Sequence, residues 1–261
     1  MSSPPPTPRK PLAQANWKMA MTVAESLAFT RQLTALAGDL LTQVDVVLSP
    51  PYTALHAVSQ AIAGTPLQLA AQNMAATAEI AHTGQVSAAL LVEAGCQWVM
   101  LGHWEVRRWV GDDDRLVRRK IGLALQAGLR PFPLVGPARD DTRPLEHALV
   151  EQLSRLLEGC LAEQVGRMAF VFEPETAIGQ AAPASPQLVA AGCHAIRGWI
   201  AGQFGDRTAA EVRIIYGGSV SPAHAGELLT SPDVDGLGAA RQGRDPAAFT
   251  EIIRQIMLAK T

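Results

Sequence analysis

Glu173 follows the apolar run Met168-Ala169-Phe170-Val171-Phe172 and is followed at once by Pro174. Such a run reads as a buried strand, and Pro174 lacks the N–H that further ladder pairing needs. Glu173 is therefore expected at the C-terminal tip of an interior strand. It roots a short segment that runs to Gly179, with Pro183 and Pro186 beyond. Poor solvation at such a place makes a carboxylate a usable base near neutral pH. The plainer alternative is a strand-end acid paired with an arginine or a helix N-terminus. Three further places carry complementary chemistry. Asn16 and Lys18 lie two residues apart, which in extended chain points them the same way. His103 follows Trp98-Val99-Met100-Leu101-Gly102, and Gly217-Gly218-Ser219 closes another apolar run. The exposed amides of such a glycine turn form an anion nest. Singly these are a solvated lysine, a structural histidine and a tight turn. Together they suit proton abstraction beside the carbonyl of a small anionic substrate. Glu173 takes the proton, His103 and Lys18 stabilise the enediolate oxygens, and the Gly-Gly-Ser amides hold a phosphate.

Those residues need elements that bring them to one place. Apolar strand patterns fall at residues 12–16, 44–48, 67–71, 98–101, 130–135, 168–172, 212–216 and 234–237. Helical patterns follow them at about 23–37, 52–63, 88–94, 144–162 and 186–204. A further helix opens at Asp112-Asp113-Asp114, an acidic start favoured by the dipole. A short one follows Pro222, and a last one begins at Asp245-Pro246 and ends near Leu258. Thr22 is the expected N-cap of the first helix. Strands joined by helices run parallel. Eight such units in 261 residues predict an α/β chain folded as one closed (β/α)8 barrel over residues 11–261. The competing open, doubly wound sheet lacks a G-x-G-x-x-G turn after the first strand. In a barrel the C-terminal strand ends share one mouth, so the chemical residues would converge there.

Composition narrows the function further. A net charge of -2 gives no basic footprint for nucleic acid. No apolar run reaches the roughly 18 residues of a membrane span. Residues 1–10 are Ser/Pro-rich without an apolar signal region, so they read as a disordered lead. Cys96, Cys160 and Cys193 show no metal spacing and fit small buried hydrophobes of a reducing cytoplasm.

The segments Asn16-Trp17-Lys18-Met19, Ala71-Gln72-Asn73, Leu101-Gly102-His103, Phe172-Glu173-Pro174, Ala177-Ile178-Gly179, Tyr216-Gly217-Gly218-Ser219-Val220 and Val234-Asp235-Gly236 resemble those of the triosephosphate isomerase family, in its order and spacing. That family is itself a standard illustration of tuned acid–base residues and of a closing loop. The resemblance implies Glu173 as catalytic base, His103 as neutral electrophile, Lys18 as electrostatic residue and Asn16 as its first-strand companion. It implies a mobile lid at residues 174–184 and phosphate contacts at Gly179 and Ser219, with Gly217 and Gly218 in the same turn. It further implies no cofactor, no metal, and a homodimer in which the loop around Thr83 reaches the neighbouring site.

The departures come partly in pairs. Where the family usually has Ser-Glu-Arg-Arg after the histidine, this chain has Trp104-Glu105-Val106-Arg107. The acid that pairs with the missing arginine across the dimer is Gln85 here. Losing one partner of a buried pair costs about 3–5 kcal/mol, whereas losing both does not, so a rebuilt dimer contact is expected. In the lid, Glu175-Thr176 replaces Val-Trp, and Pro137 replaces the acid that anchors the tryptophan, so a different latch is expected. In the eighth loop, Gly238 replaces a bulky apolar residue that presses on the base, and Ala240-Arg241 replaces two phosphate-binding glycines. Arg241 is expected either to clamp phosphate or to pair with Asp245. Trp104 is a candidate to fill the space left at Gly238. These changes keep two alternatives beside a triose phosphate isomerase: an isomerase of a four-carbon ketose phosphate such as an erythrulose phosphate, and a non-catalytic sugar-phosphate-binding barrel.

Overall fold

Side chains alternate along Trp98–Leu101. Trp98 and Met100 join an inner apolar cluster with Leu12, Val47, Phe132, Leu134, Val171 and Ile215. Val99 and Leu101 join a second cluster built with helix residues such as Val117 and Ile121. A two-residue period that is apolar on both faces is what a strand covered on both sides needs. The computed structural model describes residues 9–261. Its strands are β1 (Leu12–Asn16), β2 (Asp45–Ser49), β3 (Gln68–Ala71), β4 (Trp98–Leu101), β5 (Arg130–Val135), β6 (Ala169–Phe172), β7 (Arg213–Gly217) and β8 (Gly236–Ala239). All pair in parallel, and β8 returns to β1, which closes the barrel and disposes of the open-sheet alternative. One contact fixes that closure: a Cβ on Gly236 would lie 1.7 Å from the Leu12 carbonyl oxygen, so only glycine lets these strands meet.

Local signals set most helix starts. Thr22 caps Val23–Ala37 in a reciprocal box with Glu25. Asp245 accepts from Ala247 and Ala248 N–H at the head of Pro246–Lys260. The acidic run divides its labour. Asp113 caps Asp114–Gln126, but Asp112 is buried and pairs with Lys120 at 2.5 Å. Several boundaries differ from expectation. The second helix begins as a 3-10 turn, Tyr52–Ala54, before Leu55–Ile62. The helix expected over 144–162 stops at Leu156, because Gly159 takes φ 80°, and Ala162–Gly166 starts anew. The eighth strand lies two residues later than expected, since Asp235 is used as a bracket that accepts from Ile214 N–H and pairs with Arg197.

The expected disordered lead falls, for residues 1–8, outside the described residues. Arg9 and Lys10 are held by Asp235 and Asp45. Cys96 and Cys193 are buried, and burial pushes the Cys96 thiol up to about 12. Among the described residues no helix is long and apolar enough to cross a membrane, and no group of His, Cys, Asp and Glu is placed to hold a metal ion.

Candidate active site

The C-terminal mouth holds a cavity of about 210 Å³. Its lining includes all ten residues singled out from the sequence: Asn16, Lys18, His103, Glu173, Gly179, Gly217, Gly218, Ser219, Ala240 and Arg241. Strands β1, β4, β6, β7 and β8 deliver them, which is why they meet although they lie far apart in the chain.

Lys18 reaches the cavity differently from the expected extended pair. β1 ends at Asn16, and Lys18 takes φ 53°. Asn16 Oδ1 accepts from Lys18 N–H at 2.9 Å, and Gln72 Nε2 donates to the Lys18 carbonyl at 2.8 Å. Between them, Trp17 is fully buried and donates to the Gly243 carbonyl. Strain at Lys18 is thus held from both sides. Its ammonium pairs with Glu105 at 2.5 Å, which fixes the long side chain at the rim.

His103 caps the helix Trp104–Val110, and its Nδ1 accepts from Glu105 N–H at 3.1 Å. A nitrogen that accepts carries no proton. The ring is therefore neutral, with its N–H on Nε2. That Nε2 lies 3.3 Å from Glu173 Oε1. The carboxylate oxygen is buried and has no hydrogen-bond partner. Its residue is held by the backbone instead: Glu173 N–H donates to the Val135 carbonyl, and Trp104 Nε1 donates to the Glu173 carbonyl at 3.1 Å. An orphaned, buried carboxylate oxygen facing a neutral imidazole is a proton acceptor waiting for a donor.

Another part of the cavity wall is built from residues 178–181 and the β7 turn. Gly179 takes φ 73° and Ser219 φ 46°. Ser219 Oγ lies within hydrogen-bond distance of the Ala177 and Gln180 carbonyls, and Ala184 N–H donates to Tyr216 Oη at 2.8 Å. These contacts seat residues 177–184 on the β7 turn. Burial pushes the Tyr216 hydroxyl up to about 12, so it remains a neutral anchor.

Glu175, one of the two residues that replace the family's Val-Trp, is buried, pairs with Arg108 and accepts from Arg139 N–H at 2.8 Å. Arg241 lines the cavity and makes no ion pair with Asp245, whose carboxylate is occupied at its own helix start. Trp104 does not fill the space at Gly238. A Cβ there would meet Gln14 Oε1 at 3.1 Å, and the indole is instead turned to the Glu173 carbonyl. Sequence reasoning passed over Gln14, Glu105 and Arg244. Gln14 was legible as a polar residue inside an apolar strand. Glu105 stood in the family-like segment after the histidine but was given no role, and Arg244 carried no local signal.

Known proteins resemble this chain over nearly its whole length. A family model described as triosephosphate isomerase matches residues 11–256. The triosephosphate isomerase of Symbiobacterium thermophilum is 40% identical over 247 residues, covering 94% of this chain and 96% of that protein. That of Chloroflexus aurantiacus is 39% identical over 247 residues, covering 94% and 98%. That of Carboxydothermus hydrogenoformans is 38% identical over 248 residues, covering 94% and 98%.

Proposed function

The chain belongs to the triosephosphate isomerase family, and from that premise we propose that it interconverts dihydroxyacetone phosphate and glyceraldehyde 3-phosphate. Glu173 Oε1 removes a proton from the carbon beside the carbonyl. The C–H electrons become the double bond of an enediolate, and the charge passes to the carbonyl oxygen. His103 Nε2–H donates to that oxygen, and the Lys18 ammonium stabilises the charge electrostatically. Glu173 returns the proton to the neighbouring carbon, while the hydroxyl proton crosses between the two oxygens along His103. Asn16 orients Lys18. Gly179, Ser219, Gly217 and Gly218 hold the phosphate with backbone amides, and Ala240 and Arg241 complete that end, the arginine supplying a guanidinium fork. The reaction uses no cofactor or metal and serves glycolysis and gluconeogenesis in the cytoplasm.

One observation carries this reading: the buried, unpartnered Glu173 Oε1 3.3 Å from the imidazole nitrogen that bears the proton. It also favours catalysis over a binding-only barrel, because a phosphate-binding site has no use for an orphaned carboxylate. Turnover of glyceraldehyde 3-phosphate by the protein and by Glu173→Ala is the test. The substitution should abolish most activity, and a protein inert with short sugar phosphates would refute the reading.

The proposed assembly is a homodimer, with the loop carrying Thr83 entering the neighbour's site. Its support is a pair of apolar side chains left fully exposed near the mouth, Met19 beside Lys18 and Ile80 on that loop, which a second copy would cover. Sedimentation equilibrium should give twice the chain mass, and Ile80→Asp should shift it toward the monomer.

A further inference from the structure

The opposite mouth of the barrel has its own hollow, about 770 Å³, which the isomerisation does not use. The beginnings of strands and the turns before them wall it: Gln68, Gln97, Arg130, Arg167 and Arg213. Its hydrogen-bonding capacity is one-sided. Gln68 Oε1 already accepts from Trp98 Nε1 at 2.7 Å, and Gln97 Oε1 from Leu69 N–H at 2.7 Å. Each carboxamide therefore has its acceptor engaged, while its Nε2 donors lack a partner among the described residues. The charges are one-sided too. Asp45 is shared by Arg213 at 2.5 Å and Lys10 at 2.8 Å. Glu211 is the one acid in the lining, and its Oε1 is engaged by Arg207 at 3.0 Å. Arg130 and Arg167 have no carboxylate partner among the described residues. Residues 1–8 contain no Asp or Glu, so that segment brings no acidic side chain.

Two features make the hollow more than a solvated basic rim. The guanidinium groups of Arg130 and Arg213 both lie over the ring of the fully buried Trp98, at 5.2 and 5.3 Å from its centroid, so an indole presets their positions. Burial lowers the pKa of Arg130, and Arg213 and Arg167 lower it further against the opposing effect of Asp45, so positive charge is crowded there without enough compensation.

We infer that this hollow binds an oligophosphate, an anion of two or more linked phosphate groups, gripped between the Arg130 and Arg167 guanidinium groups with the Gln68 and Gln97 amides as further donors. The planar fork of arginine matches phosphate oxygens. Two unpaired arginines from different strand starts suit an anion longer than a single phosphate, and so does the size of the hollow.

Inorganic tripolyphosphate is the probe, titrated calorimetrically after the upper cavity has been filled with phosphoglycolohydroxamate. One equivalent should still bind, with affinity that falls as salt rises. Arg130→Gln/Arg167→Gln should weaken it by about tenfold or more, the equivalent of one lost charge-assisted contact or more, and leave turnover unchanged. Arg167→Gln alone, at an exposed position that cannot threaten folding, should weaken it by about threefold or more. Inorganic orthophosphate should bind about tenfold more weakly than tripolyphosphate, because it reaches one guanidinium at a time. No binding once the upper cavity is filled overturns the proposal, as does an affinity unchanged in Arg167→Gln. Equal affinity for orthophosphate overturns the oligophosphate assignment.

Discussion

Gln14 and Gly238 are direct partners in the β1–β8 ladder, and the carboxamide of the first occupies the space that a side chain on the second would need. Gln14 is buried and tied down, its Nε2 donating to Ser49 Oγ at 2.8 Å. The floor of the active-site cavity is thus one volume shared between two positions. Gly238→Leu alone should collide with Gln14, lower kcat/KM and cost about 1–3 kcal/mol of stability. Gln14→Ala/Gly238→Leu should recover most of both, with a coupling of about 1 kcal/mol or more in a double-mutant cycle of urea unfolding. Strict additivity would show that the two residues do not compete for space.

Glu173→Gln should separate catalysis from stability. If Glu173 is the proposed base, its removal lowers kcat by about 10²–10⁴-fold with a much smaller change in KM. Because Oε1 is buried and unpartnered, neutralising the group should leave stability unchanged or raise it by about 1 kcal/mol. Steady-state kinetics and thermal unfolding of one preparation test both halves, and a clear loss of stability would contradict the orphaned oxygen.

The Glu175 latch should matter to lid and fold together. Arg108→Met leaves the Glu175 carboxylate with only the Arg139 N–H, at an expected cost of about 1–3 kcal/mol given that the arginine is half exposed. A lid less firmly rooted should also raise KM. Arg108→Lys should restore much of both, because the attraction is mainly of charge. Kinetics indistinguishable from the parent in Arg108→Met would mean that the latch does not act on the lid.

Asp45 should give an acid-dependent contribution to stability. Burial raises its pKa, but Lys10 and Arg213 outweigh that, so the folded value lies below the ordinary one. A depressed carboxylate stabilises above its unfolded pKa of about 3.9, and the contribution disappears as pH falls through the lower, folded value. The stability difference between the parent and Asp45→Asn should therefore be flat from about pH 5 to 8 and shrink below about pH 4. Urea unfolding of both proteins across that range measures it, and a gap that persists undiminished into strong acid would refute the assignment.

The barrel was legible because its strands announce themselves as short apolar runs closed by glycine, proline or a polar or charged residue. Nine of the ten cavity residues sit at or just after such an end, while Gly179, farther along the segment after β6, was singled out by the family resemblance. What the sequence concealed were contacts between distant elements. Nothing near Glu175 says that Arg108 and Arg139 N–H will meet it. Nothing near Trp104 says that its indole will seek the Glu173 carbonyl and not the gap at Gly238. The polar residue in β1 was visible, but its competition with Gly238 depends on the register of closure, which only three-dimensional pairing supplies. The turn at Lys18 was likewise invisible, since an extended reading predicts the right direction for the wrong reason.

The helix Trp104–Val110 is only seven residues long, yet it is a chassis for most of the machinery. His103 begins it, Trp104 donates to the carbonyl of the proposed base Glu173, Glu105 pairs with Lys18, and Arg108 pairs with Glu175 at the root of the proposed lid. A small rotation of this one element would detune proton transfer, charge stabilisation and gating in a single stroke. Substitutions that tilt it should therefore never yield a protein defective in just one of those steps, and attempts to retune the lid independently have more freedom at its far hinge, where Ser219 and Tyr216 hold it, than at its root.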